Sequence, residues 1–147
     1  MVKIVWRSEL VPMDMDITQV SGILLDNKKR VLIYEEDGRY RLPGGHPLDD
    51  EAIEETLVRE CLEEVNTEIE NILYLGYQEI IGDADKEPYA QVRMIAKIKN
   101  MGEEKMDPDN GKTYKRLLVP LNDVNTYLKW AEVGDEMIKE VNKLISG

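Results

Sequence analysis

Acidic side chains crowd residues 44–65, GGHPLDDEAIEETLVRECLEEV, where Arg59 is the single basic residue. Like charges three or four positions apart on a helix repel one another, so carboxylates at this density favour a cation between them. Mg²⁺ prefers oxygen ligands and is usually held by a few carboxylates together with waters and substrate phosphates. The composition of this segment therefore points to a site for a hard divalent cation.

The same segment predicts an amphipathic helix over about residues 50–65. Asp49 and Asp50 are suitable N-cap residues, and Glu51 is favourable in a first turn because the helix dipole stabilises negative charge there. Asn66 is an acceptable left-handed stop at the other end. The apolar arc expected to face the core consists of Leu57, Val58, Cys61, Leu62 and Val65.

Three glutamates lie beside that apolar arc. With an advance of about 100° per residue, Glu60, Glu63 and Glu64 fall within roughly a 100° arc at its edge. They are either a metal site or a solvated acidic face, which costs only about 0.2–0.5 kcal/mol per pair. A solvated helix normally intersperses Lys and Arg, which favours the metal site, although spacing alone leaves both interpretations open. For Arg59 the alternative is an ordinary ion pair with Glu55, one turn earlier.

Two glycines precede the helix in the sequence LPGG, residues 42–45. Glycine allows the backbone to pass close to a ligand or to offer a carbonyl oxygen to a metal, and the alternative is a tight turn after a strand. Asp49, Asp50 and Glu51 would repel an anion at the helix N-terminus, so phosphate is expected to bind through metal. Neither GxGxxG nor a P-loop sequence occurs, which weighs against those nucleotide-binding folds.

The surrounding chain predicts the elements that position this segment. Residues 18–25 and 31–36 are rich in β-branched and aromatic residues and are predicted to be neighbouring strands. Asp37-Gly38 predicts a hairpin into a short strand that stops at Pro43. Three further strands and two helical segments are predicted downstream, in the order EIENILYLGYQEII, YAQVRMIAKIK, KRLLV, NDVNTYLKW and DEMIKEVNKLI. Strands outnumber helices, which predicts a mixed sheet covered by helices.

Length and charge limit the class of protein. The 147 residues fit one domain, and 42% hydrophobic with 33% charged residues is typical of a globular chain. The single cysteine excludes an internal disulfide, and we find no secretory or membrane-spanning apolar segment, so we expect a cytoplasmic protein. The net charge of -11 disfavours duplex nucleic acid and anionic membranes as partners.

The acidic segment and its glycine loop match a family signature. They resemble the Nudix hydrolases (MutT-like proteins), whose signature is GX5EX7REUXEEXGU with U a bulky apolar residue. Its fixed positions are occupied by Gly45, Glu51, Arg59, Glu60, Glu63 and Glu64. The departures are Cys61 at the first U, Asn66 for the final glycine and Thr67 at the last U. Cysteine still packs as a small hydrophobe, and Asn is the next best left-handed stop.

This resemblance implies a single Nudix hydrolase domain over residues 1–147, of the α/β (α+β) class, folded as an α/β/α sandwich with a mixed β-sheet. It implies that metal-activated water cleaves a diphosphate linkage in a nucleoside diphosphate joined to another moiety. Such substrates include nucleoside triphosphates, nucleotide sugars and dinucleoside polyphosphates. Mg²⁺ or Mn²⁺ would be held by Glu60, Glu63, Glu64 and the carbonyl of Gly45. A homodimer is expected by family analogy.

The resemblance also implies roles for individual residues. Glu60, Glu63, Glu64 and Arg59 are the expected catalytic residues, with Glu60 a metal ligand that also assists as base. Arg59 is expected to orient Glu60, while Glu51 supports the loop and the helix.

Several questions stay open at this level. A second acid outside the signature often completes the family's site, and the candidates are Glu79, Glu87, Glu103, Glu104, Asp107 and Asp109. DPDNG, residues 107–111, fails the EF-hand spacing and predicts a polar hairpin turn. His46 is either an exposed loop histidine, which is the commoner case, or a substrate contact. Tyr89 and Arg93 are either packing residues or substrate contacts. The alternative function is a Nudix-like sensor that binds a nucleotide or metabolite without turnover.

Overall fold

The β-branched and aromatic runs of the chain form one eight-stranded sheet, in a computed structural model that describes residues 1–146. The strands are β1 (Lys3–Arg7), β2 (Ile17–Leu25), β3 (Arg30–Glu36), β4 (Arg39–Arg41), β5 (Gly44–Gly45), β6 (Thr67–Ile81), β7 (Tyr89–Met101) and β8 (Lys115–Pro120). The helices are α1 (Ile53–Val65), α2 (Val124–Leu128) and α3 (Ala131–Ile145), with a 3₁₀ turn at Leu121–Asp123. Among residues 1–146, no helix has the length and apolar character needed to cross a membrane.

The strand order β1-β6-β7-β2-β3-β4 contains pairings of both directions. β2 and β7 run parallel, whereas β6 and β7 and the other pairs run antiparallel; β5 pairs with β2, and β8 with β3. The predicted hairpin between β3 and β4 is confirmed. Asp37 and Gly38 both take positive φ, 52° and 80°, as the tight two-residue hairpin turn requires. The prediction of a mixed sheet is confirmed as well.

Helices cover both faces of this sheet. On one face α1 packs through Leu57, Cys61 and Val65 into a cluster with side chains of β2, β6 and β7. On the other face α3 packs through Met137 and Val141, both fully buried, into a second cluster. The central strands contribute to both clusters because successive side chains of a strand point to opposite faces. The predicted α/β/α sandwich is therefore confirmed.

Two strands were not predicted from the sequence. β1 is an edge strand that is held by its antiparallel pairing with β6. β5 has only two residues, Gly44 and Gly45, and exists because they pair with Ser21 and Val20 of β2. Both strands depend on distant partners, which local β propensity does not reveal.

α1 begins later than predicted. The helix starts at Ile53 with Ala52 as its N-cap, so neither predicted aspartate serves as the cap and Glu51 is not in the first turn. The cause is Asp50, whose φ of 63° is incompatible with a right-handed helix. The predicted stop is confirmed, since Asn66 is left-handed with φ 45° and ψ 50°.

The buried face of α1 is rotated towards its glutamates. Three residues of the predicted arc are buried: Leu57, Cys61 and Val65. Val58 and Leu62 are 38% and 40% exposed, so the prediction that they face the core is wrong. Thr56, which lies on the edge of the helix that carries the glutamates, is fully buried, and its hydroxyl donates a hydrogen bond to Glu51 Oε1 at 2.8 Å. Because that polar group is satisfied, burying it costs little, and the helix turns its glutamate edge inward.

The two leucines of α1 offer a direct test of this rotation. Leu57→Ala is expected to destabilise the protein by about 2–5 kcal/mol because truncation of a fully buried leucine leaves a cavity. Leu62→Ala is expected to cost less than about 1 kcal/mol, since the side chain is half-exposed and alanine favours a helix. Urea denaturation measures both, and equal losses would contradict the burial pattern.

Candidate active site

The glycine pair passes between a strand and the carboxylates of α1. Gly44 and Gly45 pair with Ser21 and Val20. A Cβ on Gly44 would collide with the backbone of that strand, and a Cβ on Gly45 would lie 2.5 Å from the carboxyl carbon of Glu60. A side chain is therefore excluded at Gly44, whereas at Gly45 it would displace the Glu60 carboxylate, so both glycines keep the loop close to its neighbours.

Arg59 connects most of the charged groups around this loop. Its Nε and Nη2 donate to the two carboxylate oxygens of Glu51 at 2.8 and 3.0 Å. Its Nη1 donates to Glu60 Oε1 at 2.7 Å and to Glu63 Oε2 at 3.3 Å. The carbonyl of His46 accepts a further hydrogen bond from Nη2 at 3.2 Å. One guanidinium thus holds three carboxylates and the glycine loop together, with the fork geometry that suits arginine.

Glu51 ties the loop to α1 from a position before the helix. Its Oε1 accepts hydrogen bonds from the Leu48 N–H at 2.9 Å and the Thr56 hydroxyl at 2.8 Å. The Arg59 guanidinium, followed by the Leu48 N–H, lowers the pKa of Glu51 to about 2. The alternative pairing of Arg59 with Glu55 is wrong, because Glu55 caps the start of α1 instead.

Glu64 is held by two donors in a largely buried position. The Gly44 N–H donates to its Oε1 at 2.9 Å, and the Tyr34 hydroxyl donates to its Oε2 at 3.0 Å. Burial raises the pKa of Glu64 to about 8, with the charges of Glu60 and Asp107 adding to the increase against those two hydrogen bonds. Near neutral pH this carboxyl group therefore favours either a proton or a neighbouring cation.

A cavity of about 450 Å³ brings the helix carboxylates together with the glycine loop. It is lined by Gly44, Gly45, His46, Leu48, Arg59, Glu60, Glu63, Glu64 and Asp109. Burial raises the pKa of Glu60 too; Arg59 opposes the increase, and the charges of Glu63 and Asp107 add to it. All four predicted metal-binding positions therefore border one cavity, while Glu51 lies behind Arg59.

The chain returns to this cavity at the turn of residues 107–112, which we call the acidic turn. Asp109 lines the cavity, and Asp107 is 3% exposed beside it. The predicted turn is closed by a hydrogen bond from the Asp107 N–H to the Lys112 carbonyl at 2.7 Å. It is not a hairpin, because β7 and β8 on either side of it do not pair.

The other candidates for a second acid lie elsewhere or are engaged. Glu79 pairs with Arg7 of β1 at 3.0 Å, and Glu104 accepts a hydrogen bond from the Arg116 N–H at 2.7 Å. Glu87 and Glu103 have exposed side chains that do not line the cavity. Geometry therefore narrows the six candidates for the second acid to Asp107 and Asp109. The sequence alone did not distinguish among the six.

The remaining candidates for substrate contact are His46, Tyr89 and Arg93, and the structure adds Tyr34, which was not predicted. His46 is exposed as expected, yet it also lines the cavity, and its position next to the glycine pair was the available signal. Tyr34 binds Glu64 but belongs to no motif; only its place in a strand beside the loop could have suggested it. Arg93 is 2% exposed, stacks 5.0 Å over Trp130 and does not line the cavity, and Tyr89 does not line it either.

A divalent metal ion needs several oxygen ligands around one point. Within residues 1–146, no three His, Cys, Asp or Glu side chains are arranged so that they could hold a metal ion. Arg59 holds Glu60 and Glu63, and two donors hold Glu64. The donor set nevertheless fits a hard cation, since it consists of carboxylate and carbonyl oxygens, and burial, to which neighbouring negative charges add, raises the pKa values of Glu60 and Glu64. Metal binding requires Glu60 and Glu63 to turn from Arg59 into the cavity.

Comparison with known proteins decides the family. A family model of the NUDIX domain matches residues 15–141, which is most of the chain. The protein belongs to the NUDIX family. The resemblance inferred from the signature is therefore confirmed. A search of curated proteins found no match.

Solved structures share the fold of this NUDIX protein at low sequence identity. The Bacillus subtilis pyrophosphohydrolase BsRppH has a TM-score of 0.74 and 19% identity, covering 95% of this chain and 90% of its own. A C. elegans Ap4A hydrolase has a TM-score of 0.65 and 16% identity, covering 88% and 99%. MutT from Bacillus halodurans has a TM-score of 0.65 and 21% identity, covering 82% and 78%. These similarities show a common NUDIX fold.

The ion pair of Glu51 with Arg59 predicts a defined pH dependence. Because the pKa of Glu51 is lowered from 4.5 to about 2, its carboxylate stabilises the fold above about pH 4.5, and this stabilisation is lost as pH falls towards 2. Glu51→Gln is expected to lower the melting temperature at pH 7, and the difference from the wild type should shrink as pH falls from 4.5 to 2.

Glu54→Gln is the matched control, because Glu54 is an exposed acid of the same helix. Its melting temperature should follow the wild type throughout the range. A Glu51→Gln difference that is the same at pH 2 and pH 7 would show that the carboxylate charge does not stabilise the fold.

Proposed function

We propose that the protein is a metal-dependent hydrolase that cleaves a diphosphate linkage in a nucleoside diphosphate joined to another moiety. One observation carries this proposal: the buried edge of α1 places Glu60 and Glu64 beside the glycine loop, around the same cavity as an acid from a distant turn. Membership of the NUDIX family and an intact set of charged signature residues support the same reaction class.

Mg²⁺ or Mn²⁺ is the proposed cofactor, and the residues proposed to hold it are Glu60, Glu63, Glu64 and the carbonyl of Gly45. When bound, the ions would offset the charge of a diphosphate and lower the pKa of the attacking water. The oxygen-only donor set supports this choice, because softer metals favour nitrogen and sulfur ligands.

The residues around the metal site would supply orientation and proton transfer. Arg59 holds Glu60 through Oε1 at the border of the cavity, and on turning into the cavity the Glu60 carboxylate would accept a proton from water. Glu51 holds Arg59 through two hydrogen bonds, so its proposed role is structural support. We propose Asp109 as the second acid, since Asp107 Oδ1 accepts the Asp109 N–H at 2.8 Å and so shapes the turn.

A small nucleotide derivative is the proposed substrate class. The cavity of about 450 Å³ fits a compact polar group such as a diphosphate. A net charge of -11 supports a small substrate reached through metal rather than a duplex nucleic acid. The Ap4A hydrolase and pyrophosphohydrolase among the structural neighbours support nucleotide derivatives in the first test panel.

Hydrolysis of such a panel tests the proposal. Nucleoside triphosphates, nucleotide sugars, dinucleoside polyphosphates and ADP-ribose would be incubated with Mg²⁺, with Mn²⁺ and with EDTA, and phosphate or nucleotide release measured. We expect metal-dependent turnover of at least one compound. Glu60→Gln should reduce kcat by roughly 10²-fold or more, because it removes both a metal ligand and a base.

Glu54→Gln again provides the control, since it removes an exposed carboxylate of α1 with no partner among the described hydrogen bonds and ion pairs of residues 1–146. It should retain wild-type kcat. Metal-dependent binding of a panel compound without turnover would instead favour the sensor function. If neither metal shifts the melting temperature of the protein, α1 is a solvated acidic helix and the hydrolase proposal is rejected.

A further inference from the structure

Two tyrosines with rings in contact connect Glu64 to the acidic turn. The rings of Tyr34 and Tyr114 lie 4.7 Å apart between centroids at an angle of 46°. Both are buried, at 4% and 6% exposure. The Tyr34 hydroxyl donates to Glu64 Oε2 at 3.0 Å, and Asn110 Nδ2 donates to the Tyr114 hydroxyl at 2.6 Å. A continuous path of close contacts therefore runs from a carboxylate of α1 to the tip of the turn.

Hydrogen bonds link the residues of the acidic turn to one another, so a contact at one point constrains the others. The Gly111 N–H donates to the Asp107 carbonyl at 2.8 Å, and the Lys112 N–H donates to Asn110 Oδ1 at 2.9 Å. Asp109 donates its N–H to Asp107 Oδ1 at 2.8 Å. Asn110 lies next to Asp109 in the chain, so the hydrogen bond from Asn110 to the tyrosine pair places the acid that lines the cavity.

The Tyr114 side is fixed by a second group of charges. Its hydroxyl donates to Glu36 Oε2 at 3.2 Å, and Lys112 Nζ donates to the same oxygen at 3.2 Å. Arg41 pairs with the other oxygen of Glu36 at 3.0 Å. These contacts fix Glu36, and through it the Tyr114 hydroxyl. The tyrosine pair is thus clamped at both ends, which suits a rigid spacer better than simple core filling.

We propose that Tyr34 and Tyr114 are positioning residues that couple the metal-binding carboxylate Glu64 to the acidic turn carrying Asp109. The proposal rests on the function proposed above, because it assumes that Glu64 binds metal and that Asp109 acts from the opposite side of the cavity. Neither tyrosine touches the reacting atoms. Tyr34 orients Glu64, Tyr114 orients the turn, and the contact between the two rings makes the two positions depend on each other.

Three phenylalanine variants of the full chain separate these contributions. Tyr34→Phe keeps the contact between the rings and removes the hydrogen bond to Glu64, while Tyr114→Phe keeps the ring contact and removes the hydrogen bonds to the turn and to Glu36. Tyr127→Phe is the matched control. Tyr127 forms an edge-to-face pair with Tyr40, with centroids 5.2 Å apart, among side chains of the opposite core cluster.

Mn²⁺ affinity by calorimetry and amide hydrogen exchange of residues 107–112 provide readouts that do not depend on turnover. In the wild type, Mn²⁺ should slow exchange of the turn amides. Tyr34→Phe should weaken Mn²⁺ binding by about 10-fold or more, as loss of a partner of a metal ligand does. At saturating Mn²⁺, hydrogen exchange of the turn amides should not be slowed in Tyr34→Phe.

Tyr114→Phe should behave differently from Tyr34→Phe. It should retain Mn²⁺ affinity within about threefold, because the bond from Tyr34 to Glu64 is intact, yet lose the Mn²⁺-dependent protection of the turn. Asn110→Ala should give the same result and does not risk the fold, because Asn110 is exposed. Tyr127→Phe should match the wild type in both measurements.

The outcomes distinguish this proposal from the proposed function. If the wild type binds Mn²⁺ but Tyr34→Phe keeps wild-type affinity and turn protection, the coupling is wrong and the hydrolase proposal stands. If Asn110→Ala keeps full Mn²⁺-dependent protection, the path through Tyr114 is likewise excluded. If the wild type binds no Mn²⁺, both the metal site and the coupling are rejected.

Discussion

The bidentate ion pair between Arg59 and Glu51 is the interaction on which the rest of the site depends. Carboxylates at the edge of a core lose hydration and repel one another, and an uncompensated buried charge is costly. Arg59 offsets that cost for Glu60 and Glu63 because its remaining donors reach both. Glu51 is the only one of these partners that binds two nitrogens of the guanidinium, so it contributes most to fixing a long side chain that has many rotamers.

The carboxylates of this arrangement are not stabilised equally. The arginine lowers the pKa of Glu51 to about 2, whereas burial raises the pKa of Glu64 to about 8. The negative charge of Glu51 is therefore stabilised within the protein, whereas the negative charge of Glu64 is disfavoured there. The opposite shifts of two carboxylates separate a structural acid from one that favours a cation, which is common where a fold prepares a functional site.

The rotation of α1 has a cost on its opposite side. Turning the helix so that Thr56 and the glutamate edge face inward leaves Val58 and Leu62 half in water. A helix packed only for stability would bury those two apolar side chains instead. The site is thus built by giving up part of the helix's apolar contact, which is consistent with the general trade between stability and function. Asp109 of the acidic turn borders the same cavity from a distant part of the chain.

Periodicity and turn chemistry were sufficient to predict most of the strands, the hairpin at Asp37-Gly38, the helix stop at Asn66 and a mixed sheet covered by helices. These features follow from local backbone preferences and from the spacing of apolar residues, which neighbouring residues in the chain determine. The spacing of Glu60, Glu63 and Glu64 similarly predicted that they share one edge of a helix. The same local rules could not predict the late start of α1, because that depends on the left-handed Asp50.

Tertiary structure alone decided which edge of the apolar arc of α1 is buried and which of the six candidate acids lines the cavity. It also decided that Arg59 pairs with Glu51 rather than with Glu55. Each of these depends on a residue distant in the chain: Glu51 lies eight positions before Arg59, and Asp109 lies more than forty positions after Glu64. Sequence spacing specifies neighbours on one helix, where geometry repeats every turn. It does not specify contacts between separate elements, because those are determined by how strands pair and how layers pack.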